Sequence, residues 1–316
     1  MINWWRTKQQ SHVALVFAIA KEQVSLMIAD ITRAEPALIV SDHCEVTDGQ
    51  WAVGIQTLVH RYEKQLKGKP PVLLVVSPSL YQSFQLDRPQ LPSAEITQAL
   101  KYHLRDLVPL APTEIIADYY DNSVQLAGQD KITAIVMAKA MLVEILACID
   151  PISDKVQGIV TEEQAIAELF SELMEPTVVV HKNSSEPALL QVYQLGALQV
   201  NRQVRTLDGV GQLTTKDIEQ GDAGALSVEV QRSADYFERQ LRQRPIRQVV
   251  LALNVESRSA LQQQLASDLG LAVQWAAYPV WAQELGLGDY ADFAALGGML
   301  LVQKMVATST QERAAS

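Results

Sequence analysis

The order of predicted strands and helices occurs twice along this chain of 316 residues. Two apolar segments separated by a short turn, 13–20 and 24–31, predict a β-hairpin near the beginning of the chain. Residues 177–180 and 189–195 predict a second hairpin of the same kind. After each hairpin, the pattern indicates a further strand, a helix, a strand and a helix. This repetition predicts two related α/β halves.

Composition restricts the kinds of function that the chain can have. Hydrophobic residues make up 48% and charged residues 20%, so the chain can form a globular core. A net charge of −10 argues against nucleic-acid binding, which needs a basic surface. The two cysteines provide neither a disulfide framework nor a metal-ligand cluster, and no histidine has a second one four residues away. We therefore expect neither a metal site nor a catalytic one.

The apolar runs also bear on where the protein is found. They stay well below the ~20 residues that a membrane-spanning helix needs, and the first residues do not have the pattern of a signal peptide. We expect a soluble, cytoplasmic protein, and these runs leave open whether it contacts a membrane partner. Trp4 and Trp5 stand in an otherwise polar segment. They either fold back onto the protein or contact a membrane or a partner.

The segment 91–121 predicts a small helix-on-sheet unit. Ser93 is a candidate N-cap for a helix that Pro109 and Pro112 end, because a prolyl ring cannot continue the hydrogen-bond ladder. Residues 114–120, rich in Ile and Tyr, predict a strand. The apolar residues of the helix fall on one stripe: Ile96, Leu100, Leu104 and Val108. The unit is either simple core or an insert that holds a partner peptide.

Four stretches of the sequence, in this order, resemble the PilM family of type IV pilus assembly proteins. Residues 107–120 read LVPLAPTEIIADYY and residues 208–214 read DGVGQLT. Residues 231–237 read QRSADYF and residues 294–298 read AALGG. Within the family, the chain looks most similar to the MshI proteins of mannose-sensitive haemagglutinin (MSHA) pilus systems. The cytoplasmic part of type II secretion L proteins is a near neighbour.

The resemblance implies a fold and a division into domains. The fold would be an α/β, actin-like (ribonuclease H-like) two-domain fold with a small α+β insert subdomain. Residues 1–86 and 159–198 would form the first domain, a range that includes the opening of the second half, and 87–158 the insert. Residues 199–316 would form the second domain with a closing helix.

The resemblance also implies a partner. In PilM, a groove between the first domain and the insert takes the N-terminal cytoplasmic peptide of the membrane protein PilN. The pilus assembly ATPase and the platform protein are further candidate partners, and the protein would associate peripherally with the inner membrane through its partners. The residues carried over as groove candidates are Tyr102, Leu107, Val108, Pro109, Leu110 and Glu114. The alternative for each is that it belongs to the core of the insert.

The turns that would hold a nucleotide lack the residues that phosphate binding needs. In actin-like ATPases, the hairpins carry Asp and Gly, which orient the metal shell and let backbone N–H groups approach phosphate. Here Phe17 and Ile19 stand at those positions in the first hairpin, and His181 and Asn183 in the second. Asn254 stands where an adenosine loop would carry glycine. We expect a degenerate site without ATP hydrolysis and no cofactor. The alternatives are an ATPase with unusual loops and a type II secretion L subunit.

Overall fold

The computed structural model describes residues 12–66, 68–126, 128–183 and 185–315. Trp4 and Trp5 lie outside these residues. The first sheet has the strand order β3-β2-β1-β4-β8. The first three strands are antiparallel, and β4 and β8 run parallel to β1. The strands are β1 (Val13–Ile19), β2 (Gln23–Asp30), β3 (Ala37–Glu45), β4 (Val72–Val76) and β8 (Val156–Thr161).

A second sheet has the same plan, which confirms the repetition predicted from the sequence. Its order is β11-β10-β9-β12-β13. Again three antiparallel strands are followed by two that run parallel to the first strand of the hairpin. The strands are β9 (Thr177–Lys182), β10 (Ala188–Gln194), β11 (Ala197–Val204), β12 (Gln248–Leu253) and β13 (Ala272–Trp275).

Helices cover both sheets. The helices outside the insert are α1 (Trp51–Arg61), α3 (Lys139–Ile149), α4 (Glu162–Ala167), α5 (Thr215–Gln220), α6 (Gly224–Asp235), α7 (Arg258–Leu269), α8 (Val280–Gln283) and α9 (Phe293–Ala315). Helices α1 and α3 pack on one face of the first sheet, and α6 and α7 pack on the second sheet. Apolar residues of both sheets and α9 share one core that contains Val16, Val179 and Leu296. This shared core joins the two halves, and each half also has a core of its own on the other face of its sheet.

The insert is a third sheet, of order β5-β7-β6, with a helix on one face. Its elements are β5 (Gln82–Asp87), α2 (Ser93–His103), β6 (Ile115–Asp121) and β7 (Lys131–Ala138). The predicted stripe of Ile96, Leu100, Leu104 and Val108 is buried against this sheet, as expected. Pro92, not Ser93, holds the N-cap position, and the helix ends at His103. Turns then lead from the end of the helix to Pro109.

The structure changes the predicted domain ranges at three places. Strand β5 belongs to the insert sheet, whereas the range 87–158 leaves it out and includes α3, which packs on the first sheet. Strands β9 and β10 lie in the second sheet, whereas the range 159–198 joins them, as the opening of the second half, to the first domain. The closing helix α9 packs on β1 and β4 of the first sheet, not within the second half alone. Sheet membership follows from pairing between distant strands, which local periodicity does not report.

Two glycines allow α9 to approach the rest of the protein closely. A Cβ atom on Gly297 would lie 2.0 Å from the carbonyl oxygen of Ala165 in α4. A Cβ atom on Gly298 would lie 2.7 Å from a methyl of Val75 and 2.9 Å from one of Val16. Contact with backbone cannot be relieved by a side-chain movement, so Gly297 sets the distance between α9 and α4. These residues belong to the stretch AALGG.

Candidate functional site

The turn between β9 and β10 reaches across to the first half of the molecule. Glu186 lies in this turn and is 1% exposed. Its carboxylate accepts hydrogen bonds from the backbone N–H groups of Lys21, at 2.7 Å, and Ser79, at 3.0 Å. Lys21 lies in the β1–β2 turn, and Ser79 follows β4. The ammonium group of Lys182 donates to the carbonyl oxygens of Asn183, at 2.8 Å, and Glu186. One carboxylate thus joins the two hairpin turns.

A second buried group lies between the halves, at the beginning of α4. Glu162 accepts a hydrogen bond from the hydroxyl of Ser77, and its Oε1 lies 3.4 Å from Nδ1 of His181. Nε2 of His181 lies 3.0 Å from the carbonyl oxygen of Tyr290. Because a carbonyl only accepts, the ring proton is on Nε2, which leaves Nδ1 as an acceptor.

Burial decides the charge of this pair. It raises the pKa of Glu162 to about 8 and lowers the pKa of His181 to about 4, since each charged form would lose its hydration. Near neutral pH, Glu162 is therefore mainly protonated and His181 is neutral. The two side chains are 1% exposed. A pair closed off in this way has no access for a substrate and acts as a neutral contact between the halves.

Glu163 connects the insert to α4. It is 0% exposed, and it accepts a hydrogen bond from the hydroxyl of Tyr81, which precedes β5. Burial raises the pKa of Glu163. Among the described residues, none provides a hydrogen bond to its Oε1. Burial also raises the pKa of the Tyr81 hydroxyl, with the Glu163 carboxyl as the second cause.

The predicted nucleotide positions are only partly brought together. Phe17 and Ile19 are fully buried and point to the α1 side of the first sheet. His181 and Asn183 lie in or beside the contact between the halves, where both are buried. Asn254, at the end of β12, donates to the carboxylate of Asp289.

The sequence pattern does not indicate that Glu162, Glu163 and Glu186 are buried. Glu162 and Glu163 follow a strand and open a short helix, where acidic residues are common because they favour the helix N-terminus. Glu186 lies in a polar turn. Carboxylates are rarely buried, so the sequence favours exposed positions for all three. The only available signal was the repetition itself, which implies that turns of the two halves face each other.

A cavity of about 440 Å³ lies where the insert meets the two halves. Strands β5 and β11, each the outermost strand of its sheet, both contribute to its wall. Tyr120, Gln164 and Tyr236, from other elements, also line it. The hydroxyl of Ser123 donates to the carbonyl oxygen of Leu198 at this wall, at 2.7 Å. The wall is rich in amide and hydroxyl groups and has few charges.

The six predicted groove residues lie elsewhere, on the helix-bearing part of the insert, and do not line this cavity. Tyr102, Leu107 and Leu110 are 61%, 50% and 38% exposed. Pro109 and Glu114 are exposed as well. Val108 is different: it packs in the core of the insert, so its side chain is not available to a partner.

No cluster of metal-ligating side chains occurs among the residues that the structure describes. Within the same residues, no helix combines the length and the apolar character needed to cross a membrane.

Comparison with known proteins gives matches in structure only. No protein-family model and no curated protein matches the sequence. A structure of the PilM–PilN type IV pilus biogenesis complex aligns with a TM-score of 0.65 and 16% identity, over 92% of this chain and 98% of that chain. A Bacteroides thetaiotaomicron protein with an actin-like ATPase fold aligns at 0.53 and 13% identity, over 90% and 98%. The cytoplasmic domain of EpsL from the Vibrio cholerae type II secretion system aligns at 0.49 and 10%, over 87% and 93%. Together with the two sheets of equal strand order, the first two likenesses show that this protein has the actin-like ATPase fold.

Proposed function

We propose that the protein is a scaffold of the inner-membrane platform that assembles a type IV pilus. In this proposal it is a cytoplasmic protein, bound to the membrane through a PilN-like membrane protein whose N-terminal cytoplasmic peptide it holds. The observation that carries the proposal is the likeness to the PilM–PilN complex, which extends over nearly the whole of both chains. The four sequence stretches that resemble the PilM family support it, and an MSHA-type pilus is the specific system that we propose.

We further propose that the protein does not hydrolyse ATP. The contact between the halves, where an actin-like ATPase would hold a nucleotide, is filled by buried side chains such as Glu162, His181 and Glu186. The first hairpin has no glycine to bring a phosphate close to the backbone. Titration with ATP, with and without magnesium, should give no heat of binding and no phosphate release. Tight magnesium-dependent binding would instead favour a nucleotide-responsive ATPase.

Two surfaces of the insert suit an extended peptide. The first is the exposed apolar surface of Tyr102, Leu107 and Leu110, which could hold apolar anchors. The second is the cavity between β5 and β11. Outermost strands carry backbone groups that a peptide strand can pair with, and the volume lies in the usual range of ligand sites. Because an extended peptide fits both surfaces, substitutions in each surface are needed to identify the one that binds it.

Calorimetric titration with the cytoplasmic peptide of a PilN-like protein tests the function and the site together. Leu107→Asp and Leu110→Asp change exposed side chains, and Gln85→Trp fills the cavity from an exposed position on β5. Loss of binding in the two aspartate variants alone supports the exposed surface. Loss in Gln85→Trp alone supports the cavity. If the unmodified protein binds no such peptide, and does not co-purify with inner-membrane pilus proteins, the proposed function is wrong.

A further inference from the structure

We infer that the two halves are held together by a phosphate-type anion site whose ligand is the protein's own Glu186. The donors of this site are the backbone N–H groups of Lys21 and Ser79, both in the first half. The acceptor is a carboxylate from the second half. Backbone N–H groups that converge from turns bind oxyanions, and a carboxylate is an oxyanion with the same hydrogen-bonding chemistry as phosphate.

The burial of Glu186 supports this interpretation. A carboxylate that is 1% exposed is strongly destabilising unless hydrogen bonds and opposite charge replace its hydration. Here two N–H groups provide the hydrogen bonds. Lys182 lies beside the carboxylate, since its ammonium group donates to the backbone carbonyl oxygen of Glu186. Burial lowers the pKa of Lys182, and the negative charges of Asp208 and Glu186 oppose that lowering. The carboxylate is thus bound as a ligand would be.

The position of the site in the fold identifies what the carboxylate replaces. Strands β1 and β2 correspond to β9 and β10 in the repeated strand order. Lys21 lies in the turn of the first hairpin and Glu186 in the turn of the second, 165 residues further along the chain. In an actin-like ATPase, the phosphates lie between these two turns. An internal carboxylate at that place would keep the halves in contact without any nucleotide. This role of Glu186 is separate from the proposed binding of a partner peptide and goes beyond it.

Glu186→Ala tests the inference, with inorganic phosphate as the probe. Glu22→Ala is the matched control, since it removes a negative charge from the first turn but leaves the bridging carboxylate in place; Glu22 is 63% exposed at its side chain. We expect phosphate to raise the melting temperature of Glu186→Ala and to bind it in calorimetry. Sodium chloride of equal ionic strength should not do so. The unmodified protein and Glu22→Ala should show neither effect. An equal phosphate response in all three proteins, or none in Glu186→Ala, overturns the inference.

Hydrogen exchange gives a second readout that does not involve the partner peptide. In Glu186→Ala, the amides of Lys21 and Ser79 should exchange faster, and added phosphate should restore their protection. If the alanine variant does not fold, Glu186→Gln replaces it. The amide side chain keeps one acceptor oxygen and loses the charge, so at least one of the two N–H groups should lose protection. Unchanged exchange at both amides would refute the role of Glu186, whatever the outcome of the peptide titration.

Discussion

Replacing Glu162 by glutamine should change how the stability of the protein depends on pH. The side chain is fully buried, and burial raises its pKa from the ordinary 4.5 to about 8. In the unfolded chain, the carboxyl ionises near the ordinary value. Between these two values, folding requires the carboxyl to take up a proton. The stability that Glu162 contributes is therefore complete below about pH 4.5 and is lost as the pH rises to about 8. A glutamine keeps the shape and has no proton to take up.

The size of the effect follows from the two pKa values. For each pH unit over which the group is ionised only in the unfolded chain, the free energy of unfolding falls by about 1.4 kcal/mol. Between pH 6 and pH 8, the protein should lose about 2 kcal/mol of unfolding free energy that Glu162→Gln retains, because the folded carboxyl itself begins to ionise near pH 8. His181, whose lowered pKa is about 4, contributes stability that is present above about pH 6.5 and is lost as the pH falls toward 4. It is present in both proteins, so the comparison between them removes most of its effect.

Urea unfolding at pH 6, 7 and 8 provides the measurement. The amide oxygen of the variant can still accept from Ser77, and its NH₂ can donate to Nδ1 of His181, so the contact between the halves should remain. Glu219→Gln, at an exposed position on α5, is the control for removing a charge. We expect the stability gap between Glu162→Gln and the unmodified protein to widen with pH, with no such change for Glu219→Gln. A gap that is constant from pH 6 to pH 8 would refute a raised pKa for Glu162.

Three further tests, with five substitutions, examine the packing. Gly297→Ala should lower the free energy of unfolding by about 3 kcal/mol in urea, because the added Cβ meets backbone. Gly224→Ala, with open space around its Cβ, is the control and should leave stability unchanged or slightly higher. Equal urea midpoints for the two variants would contradict the α9–α4 contact. Tyr81→Phe should lower the free energy of unfolding by about 1–3 kcal/mol, because the buried carboxyl of Glu163 loses its hydrogen-bond donor. An unchanged melting temperature would show that this hydrogen bond does not stabilise the protein. Leu107→Asp should change the free energy of unfolding by less than about 0.5 kcal/mol, whereas Val108→Asp should lower it by about 3 kcal/mol or more. Similar values for these two neighbouring positions would contradict their different burial.

Much of the fold could be predicted from the sequence because the relevant signals are local. The hairpins at β1–β2 and β9–β10 follow from two apolar segments around a short turn, and the stripe Ile96, Leu100, Leu104 and Val108 follows from helical spacing. Strand β5 was missed because its six residues, QSFQLD, give only a weak alternation, with exposed side chains at four positions.

The candidate site depends on contacts between residues that are far apart in the chain. The sequence by itself determined two hairpins of one kind, whose turns contain no glycine, and a helix with one apolar face. The tertiary structure decided that α9 packs on the first sheet, that Val108 is buried while Leu107 is exposed, and that Glu162 and Glu186 lie inside. Whether a carboxylate is buried depends on which donors reach it. For Glu186 these donors come from Lys21 and Ser79, 165 and 107 residues away, and no local pattern of residues encodes such a distance.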